Sequence, residues 1–454
     1  MKKNILLFVL LIIIKTAAQD YGLGVLLDST LYANSPTAAP LMRGDYSNLP
    51  SSASLKEFTP TPGNQGQTST CAGWSTAYAG RTILEAMKNG WSKSETDNNA
   101  FSPSFVYNQI RSNKNCNGGS SLVDALDVLK DQGGLKLHDF SFECSREVTQ
   151  NDKTNASAYR IIEYRDITYG QKDNKVLVIK KSLAEKRPVI IALDCPPSFQ
   201  RAKEVLIVDS SEYKYWGRGH GICIIGYDDK KFGGAFELIN SWGTTWGNNG
   251  YVWVKYSDLN FFSQYAFELV DKSVPDPNKY DLSGTMTFKE NTGSDMNTFF
   301  YNGVFKMLKP YPAGTLFELR ISNNEPAYVY AFSSDLTYKT YKIFPFTNRM
   351  VAYLPYSQNN VAIPDEDSYN MLDETAGTSY YCFLYSKEKL DIDGIMSAVE
   401  KSKGTIPERV FSVLKDKIVS KDNIEYNSSY RITFKARAKG RTVVPVIVEI
   451  PHFK

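Results

Sequence analysis

Residues 219–251 read GHGICIIGYDDKKFGGAFELINSWGTTWGNNGY, and the reading of the whole chain turns on them. Two apolar runs, 221–227 and 235–240, flank the turn-rich segment 228–234, so they read as the two strands of a hairpin. His220 heads the first strand, and Asn240 ends the return strand twenty residues later. A hairpin of that length brings the two ends side by side. A polar side chain that engages one ring nitrogen of a histidine fixes the tautomer and readies the other nitrogen for proton transfer. Alone, each residue has a plainer reading: Asn240 as a turn former, His220 as a structural histidine. The chain holds only three histidines, however, with His138 in a polar loop and His452 near the C-terminus. That scarcity turns attention to His220.

A histidine that moves protons needs a nucleophile. Upstream, 71–88 reads as a helix whose first half (Ala72, Gly73, Trp74, Ala77, Tyr78, Ala79, Gly80) is apolar or small nearly all round, which predicts burial with close packing. Cys71 opens it, with Ser69 and Thr70 before it as caps. A free thiol of pKa ~8.5 is mostly protonated at neutral pH, and a helix N-terminus and a nearby cation favour the thiolate. Gln65, just upstream, carries an amide suited to an oxyanion beside the Cys71 N–H, a donor typically worth ~10²–10³ in rate.

Asn64-Gln65-Gly66-x4-Cys71, then His220-Gly221-Ile222-x3-Gly226-Tyr227, then Asn240-Ser241-Trp242-Gly243-x2-Trp246-Gly247-x2-Gly250-Tyr251 together resemble the papain-like cysteine peptidases over about residues 45–270. The resemblance implies an α+β, papain-like two-lobed fold, a helical lobe plus a β-barrel-like lobe. It implies Cys71 as nucleophile, His220 as base and acid, Asn240 as orienter, Gln65 in the oxyanion hole, and Trp242 shielding the His–Asn bond. Asn117-Gly118-Gly119 after Cys116 resembles the family's strip of bare glycine backbone that pairs with substrate. The chain also departs from the pattern. Ala72 replaces the aromatic after the nucleophile, and Gly219 stands before the histidine where Asp or Asn is frequent. Thr68 replaces a cysteine, which leaves Cys116 without its usual partner and points to a Cys116–Cys144 disulfide. The long inhibitory propeptide has no counterpart of its length. Two other readings are compatible with parts of this pattern: a catalytically silent peptide-binding protein on the same fold, and another Cys-His amide hydrolase.

Outward from this core, Lys2 and Lys3, the apolar run 5–14 and Thr16-Ala17-Ala18 have the three-part pattern of a signal peptide over 1–18, which predicts export to the periplasm or the exterior. Later apolar runs fall short of the ~18 residues of a membrane span. Residues 19–48 read as a loose leader or short pro-segment, 49–270 as the peptidase domain and 271–281 as a linker. Residues 282–454 read as a β-rich domain with helices at 392–401 and 407–417 and strands including 286–289, 316–321, 327–332, 380–385, 430–435 and 443–450; it reads either as a binding module, whose Tyr-rich strands fit a glycan or protein surface, or as a structural cap on the peptidase domain. Across 454 residues, 52 Lys+Arg nearly cancel 49 Asp+Glu, so no field favours nucleic acid. Scattered His and the lack of a Cys-x2-Cys pair speak against a metal, and no cofactor is implied. The expected partner is a peptide or protein substrate. Of six cysteines, Cys195 and Cys223 lie in apolar strands and read as buried small hydrophobes, while Cys116 and Cys144 lie in polar loops.

Overall fold

The computed structural model describes residues 21–171, 174–272, 278–428 and 431–454. The expected signal peptide, 1–18, and the middle of the expected linker lie outside them. Helices come first. An α-turn (Cys71–Gly73), a π-helical segment (Trp74–Arg81) and an α-helix (Thr82–Asn89) run on as one continuous rod. Its small residues let it sink into the core, as their all-round pattern predicts. Pro103–Ile110 and Leu122–Asp131 follow, each capped by a serine hydroxyl that accepts a backbone N–H.

The second half of this unit is an antiparallel sheet. In chain order its strands are β1 (Ser52–Ser54), β2 (Glu163–Asp166), β3 (Val189–Asp194), β4 (Gly219–Asp228), β5 (Ala235–Ile239), β6 (Tyr251–Lys255) and β7 (Ser263–Val270). They lie in the order β2-β7-β3-β4-β5-β6, with β1 added to β4. The β4–β5 hairpin forms where its turn residues predict it, with a register shift between Ile224 and Gly226. The nucleophile helix and this sheet share one apolar core.

Beyond residue 281 two further sheets, of eight and six strands, close on a common core. In Ala327–Ser334 and Gly377–Ser386, alternate side chains (Ala327, Val329, Ala331; Tyr381, Phe383, Tyr385) fill that core. The intervening ones (Tyr328, Tyr330, Phe332; Cys382, Leu384) pack under the helices Ile392–Lys401 and Ile406–Leu414. Burial on both faces explains why these strands read as near-continuous apolar runs. Tyr328, Tyr330, Tyr381 and Tyr385 of these two strands are buried, while Tyr301, Tyr341 and Tyr369 elsewhere in the unit are exposed.

The two units meet through a buried charge. Glu268, on β7 and wholly buried, accepts hydrogen bonds from Ser182 Oγ (2.7 Å), Arg165 Nη2 (3.2 Å) and the Tyr356 hydroxyl of the second unit. Val270 packs among the residues under the two C-terminal helices. Removing one member of a buried ion pair leaves the other uncompensated, at a cost of about 3–5 kcal/mol. Glu268→Ala is therefore expected to lower stability by that order and to loosen both units together, read as a lower urea midpoint with a single coincident transition by tryptophan fluorescence and far-UV circular dichroism.

Candidate active site

The hairpin register decides where His220 and Asn240 meet. His220 Nε2 lies 2.8 Å from Asn240 Oδ1, and that same oxygen accepts the Ser241 N–H at 2.8 Å. An oxygen already serving as acceptor requires Nε2 to carry the proton, which leaves the Nδ1 lone pair free to take one. Trp242, fully buried, lies 4.7 Å from the imidazole, centroid to centroid, and covers the pair. Phe199 and Trp246 close its other sides at 5.6 and 5.1 Å.

The loop before Cys71 is tied to the loop after Asn240. Asn64 bridges Trp242 antiparallel, Gln65 N donates to Ser241 O (2.8 Å), and Ser241 Oγ donates to Gln65 Oε1 (2.6 Å). These bonds set the nucleophile loop against the His–Asn end of the hairpin. The expected side-chain cap is absent: Thr70 precedes the helix without capping it, and its hydroxyl pairs with that of Thr68 at 2.7 Å.

The cleft is occupied by the chain itself. Residues 21–27, read from sequence as part of a loose leader, run through it, with Val25 bridging Ser120. Gly22 N donates to Gly66 O (3.0 Å), and Gly24 N and Val25 N both donate to Gly219 O (3.0 and 3.1 Å). Leu26 N donates to Ser120 O (3.0 Å), and Ser120 N to Gly24 O (2.8 Å). Tyr21 stacks on Trp242 with centroids 4.8 Å apart, and Trp242 Nε1 donates to Gly22 O (3.3 Å). Gln65 Nε2, expected to be open to an oxyanion, instead donates to Gly22 O (3.1 Å) and Thr68 O (2.7 Å).

The fit requires glycine on both sides. A Cβ on Gly24 would stand 2.3 Å from Ser69 O, and one on Gly219 would stand 1.8 Å from Val25 O. Gly219 is thus a site residue that role-matching passes over. Its signal in the sequence is the departure itself, glycine where Asp or Asn is frequent, together with Gly22 and Gly24 in a leader. In the glycine strip the ladder bonds fall on Ser120, one residue beyond the predicted Gly118-Gly119 pair. Gly119 leaves the room that Leu26 fills, while Gly118 O takes the Tyr107 hydroxyl at 2.7 Å.

Occupation changes the electrostatics. Burial pushes the Cys71 thiol up, against the opposing pull of backbone amides at Gly221, Val25 and Gly24. Burial also lowers His220 from an ordinary 6.5 to about 4, with the Asn240 bond pulling weakly upward. Both groups are neutral in this state, and His220 Nδ1 has no hydrogen-bond partner among the described residues, the Cys71 sulfur included. The geometry thus joins His220 to Asn240 and leaves the Cys71–His220 bond unmade.

Cys116 and Cys144 form a disulfide, with Cα atoms 5.5 Å apart, that pins the glycine strip, while Cys195, Cys223 and Cys382 are buried free thiols. His138 is exposed and pairs with Asp139 at 3.4 Å, and His452 bonds the Ser379 hydroxyl at 3.2 Å, so neither approaches the cleft chemistry. Among the described residues no group of three or more His, Cys, Asp or Glu is placed to hold a metal ion, and no helix is long and apolar enough to cross a membrane.

Residues 56–264 match the family model described as papain family cysteine protease. The chain is similar to cathepsin L of Sarcophaga peregrina (30% identical over 213 residues, 45% of this chain and 58% of that one). It is also similar to cathepsin K of Mus musculus (25% over 190 residues, 42% and 54%). The chain thus spans about half the length of these curated relatives. Among solved structures it aligns with xylellain, a cysteine protease from Xylella fastidiosa, at a TM-score of 0.47 and 18% identity, covering 57% of this chain and 98% of that one. The Cys71, His220 and Asn240 blocks, the antiparallel hairpin and the match to the papain family cysteine protease model all fall in one segment, residues 56–264.

Proposed function

We propose that this chain is an exported cysteine peptidase that hydrolyses peptide bonds in protein substrates, held latent by residues 21–27. The observation that carries the reading is the 2.8 Å bond between His220 Nε2 and Asn240 Oδ1, which sets the imidazole tautomer for accepting a proton from Cys71 at Nδ1. With the cleft open, water and the helix N-terminus solvate the thiolate, and His220 holds the proton as imidazolium. The sulfur attacks the scissile carbonyl, and Gln65 Nε2 and the Cys71 N–H receive the oxyanion. His220 then protonates the leaving amine, leaving a thioester that water, deprotonated by the same imidazole, hydrolyses. The leader supports these assignments by imitation, because the Gly22 carbonyl already takes the Gln65 amide.

Two variants separate the nucleophile from its lock. Added to a chain whose leader has been displaced by Gly24→Val, Cys71→Ala is expected to abolish cleavage of a mixed peptide library. Gly24→Val adds side-chain atoms where a Cβ already meets Ser69 O at 2.3 Å, so the leader should leave the cleft. That variant should react with an epoxide or iodoacetamide reagent at Cys71 at least tenfold faster than the unaltered chain. Unchanged labelling would remove the latency reading, and rapid labelling without hydrolysis would leave a silent peptide-binding fold.

Acid should weaken the occupied state. His220 titrates at about 4 when covered and near 6.5 when solvated. The contribution of neutral His220 is therefore present above 6.5 and lost as pH falls toward 4, at most about 3 kcal/mol. Thermal midpoints of the full chain should fall between pH 6.5 and 4.5, and His220→Gln should flatten that part of the profile.

A further inference from the structure

The leader is built in three parts with different attachments. The first, 21–27, is the plug described above. The third, 35–46, never enters the cleft and is sewn into the body of the protein. Thr37 N donates to Arg349 O (2.8 Å) and Val351 N to Thr37 O (2.9 Å), so this segment adds to the second unit. Ala38 N donates to Asp166 O (2.9 Å) and Asp166 N to Pro36 O (2.7 Å), so it adds to β2 of the first unit as well. Met42 N donates to Asn360 O at 2.8 Å, Asp45 takes both the backbone and side-chain N–H of Asn360, and Arg43 pairs with Asp367. Ser35, Thr37 and Ala39 are buried, Ala39 within the core of the second unit.

Between plug and strap, residues 28–34 are held differently. Asp28, Ser29, Thr30, Leu31, Ala33 and Asn34 are exposed, and the single turn Ser29–Tyr32 is capped by Asp28. The backbone bonds that Leu31, Ala33 and Ser35 donate all end on Asp28, Thr30 and Tyr32 of the same short stretch. Tyr32 alone is anchored, stacked on Tyr265 with centroids 3.8 Å apart and donating its hydroxyl to Leu26 O at 2.7 Å. Exposed backbone without long-range partners opens at little cost and is where proteolysis concentrates.

We infer that residues 28–34 are the processing site of this protein, and that residues 35–48 stay in the active chain as a permanent strap between its two units. The inference rests on the reading of 21–27 as an inhibitory plug. Hydrolysis adds water across one peptide bond of 28–34, giving a carboxylate on the plug fragment and an ammonium on the new N-terminus. The plug fills the chain's own cleft, so the cut comes from a second active copy or another endopeptidase. Before the cut, the strap holds the plug beside its groove at an effective concentration in the ~mM range; afterwards binding is bimolecular, and the fragment is lost on dilution. A cut at the start of the papain-like segment, near residue 49, acts differently. It leaves plug and strap as one fragment, still bonded to β2, Arg349, Val351 and Asn360.

The test uses two full-length chains, each carrying a recognition sequence for one sequence-specific serine endopeptidase, in place of residues 29–34 in the first and inserted after Asn48 in the second. After cutting and dilution to nanomolar concentration, the first should release the plug peptide and gain at least tenfold in Cys71 alkylation rate. The second should keep its fragment on gel filtration and keep slow alkylation. Equal exposure of Cys71 in both, or none in the first, overturns the inference. Intact mass of the unaltered chain activated by a trace of papain should give a new N-terminus within 29–35, and one at 47–50 overturns it too. Alkylation and mass do not depend on catalysis. A chain that sheds its plug, exposes Cys71 and yet hydrolyses nothing upholds the processing site while ending the peptidase reading.

Discussion

A thiol and an imidazole work as an ion pair only where something solvates both charges, and here a strand of backbone decides whether anything does. With residues 21–27 in place, water is excluded from Cys71 and His220. Peptide amides of Gly221, Val25 and Gly24 reach the sulfur and offset part of its desolvation, but the imidazole has only Asn240 on its far side. Proton transfer from sulfur to nitrogen would then create two buried charges, which a low-dielectric site opposes strongly. Under the proposed latency the difference between the covered and the working site is solvent rather than rearrangement. Backbone suits this task because the carbonyls of Gly66 and Gly219 and both polar groups of Ser120 need partners whenever water is excluded.

Much of this was legible from sequence, and what was not has physical reasons. The β4–β5 hairpin is written in local terms, apolar runs around a turn, so its strands and the meeting of His220 with Asn240 follow from spacing. The long strands Gly377–Ser386 and Val443–Phe453 are buried on both faces and announce themselves as apolar runs. Short strands such as Thr298–Tyr301 and Thr340–Phe344, with exposed or half-exposed side chains, carry no comparable signal. The π-helical segment was hidden because a small, apolar helix reads the same in either winding. The leader left least trace. A segment held by main-chain bonds has no side-chain period, and only the glycines that admit it, Gly22 and Gly24 against Thr68 and Ser69 and Gly219 against Val25, show in the sequence.

The family pattern is sharper where it fails than where it holds. A side chain at position 219 would collide with the Val25 carbonyl, while side chains at Gly22 and Gly24 would collide with Thr68 and Ser69, so glycine is required on both walls of the segment. Likewise the oxyanion donor expected at Gln65 is present but already engaged. Roles assigned by spacing name the parts, but the occupancy of the cleft is a long-range fact that spacing does not carry.

The second unit enters this picture through charge and through tether. Glu268 is shared by Arg165 and Ser182 of one unit and Tyr356 of the other, so neither surface is complete without its neighbour. Tyr328, Tyr330, Tyr381 and Tyr385 of its central strands turn inward, while Tyr301, Tyr341 and Tyr369 stay exposed. The plug, for its part, is held by a handful of main-chain bonds, each worth about 0.5–1.5 kcal/mol net, and by one aromatic stack. Contacts of that size do not hold a free peptide at low concentration; continuity with a segment anchored on Arg349, Val351 and Asn360 does. On the proposed reading the C-terminal half acts on the cleft without touching it, by fixing the far end of the segment that fills it.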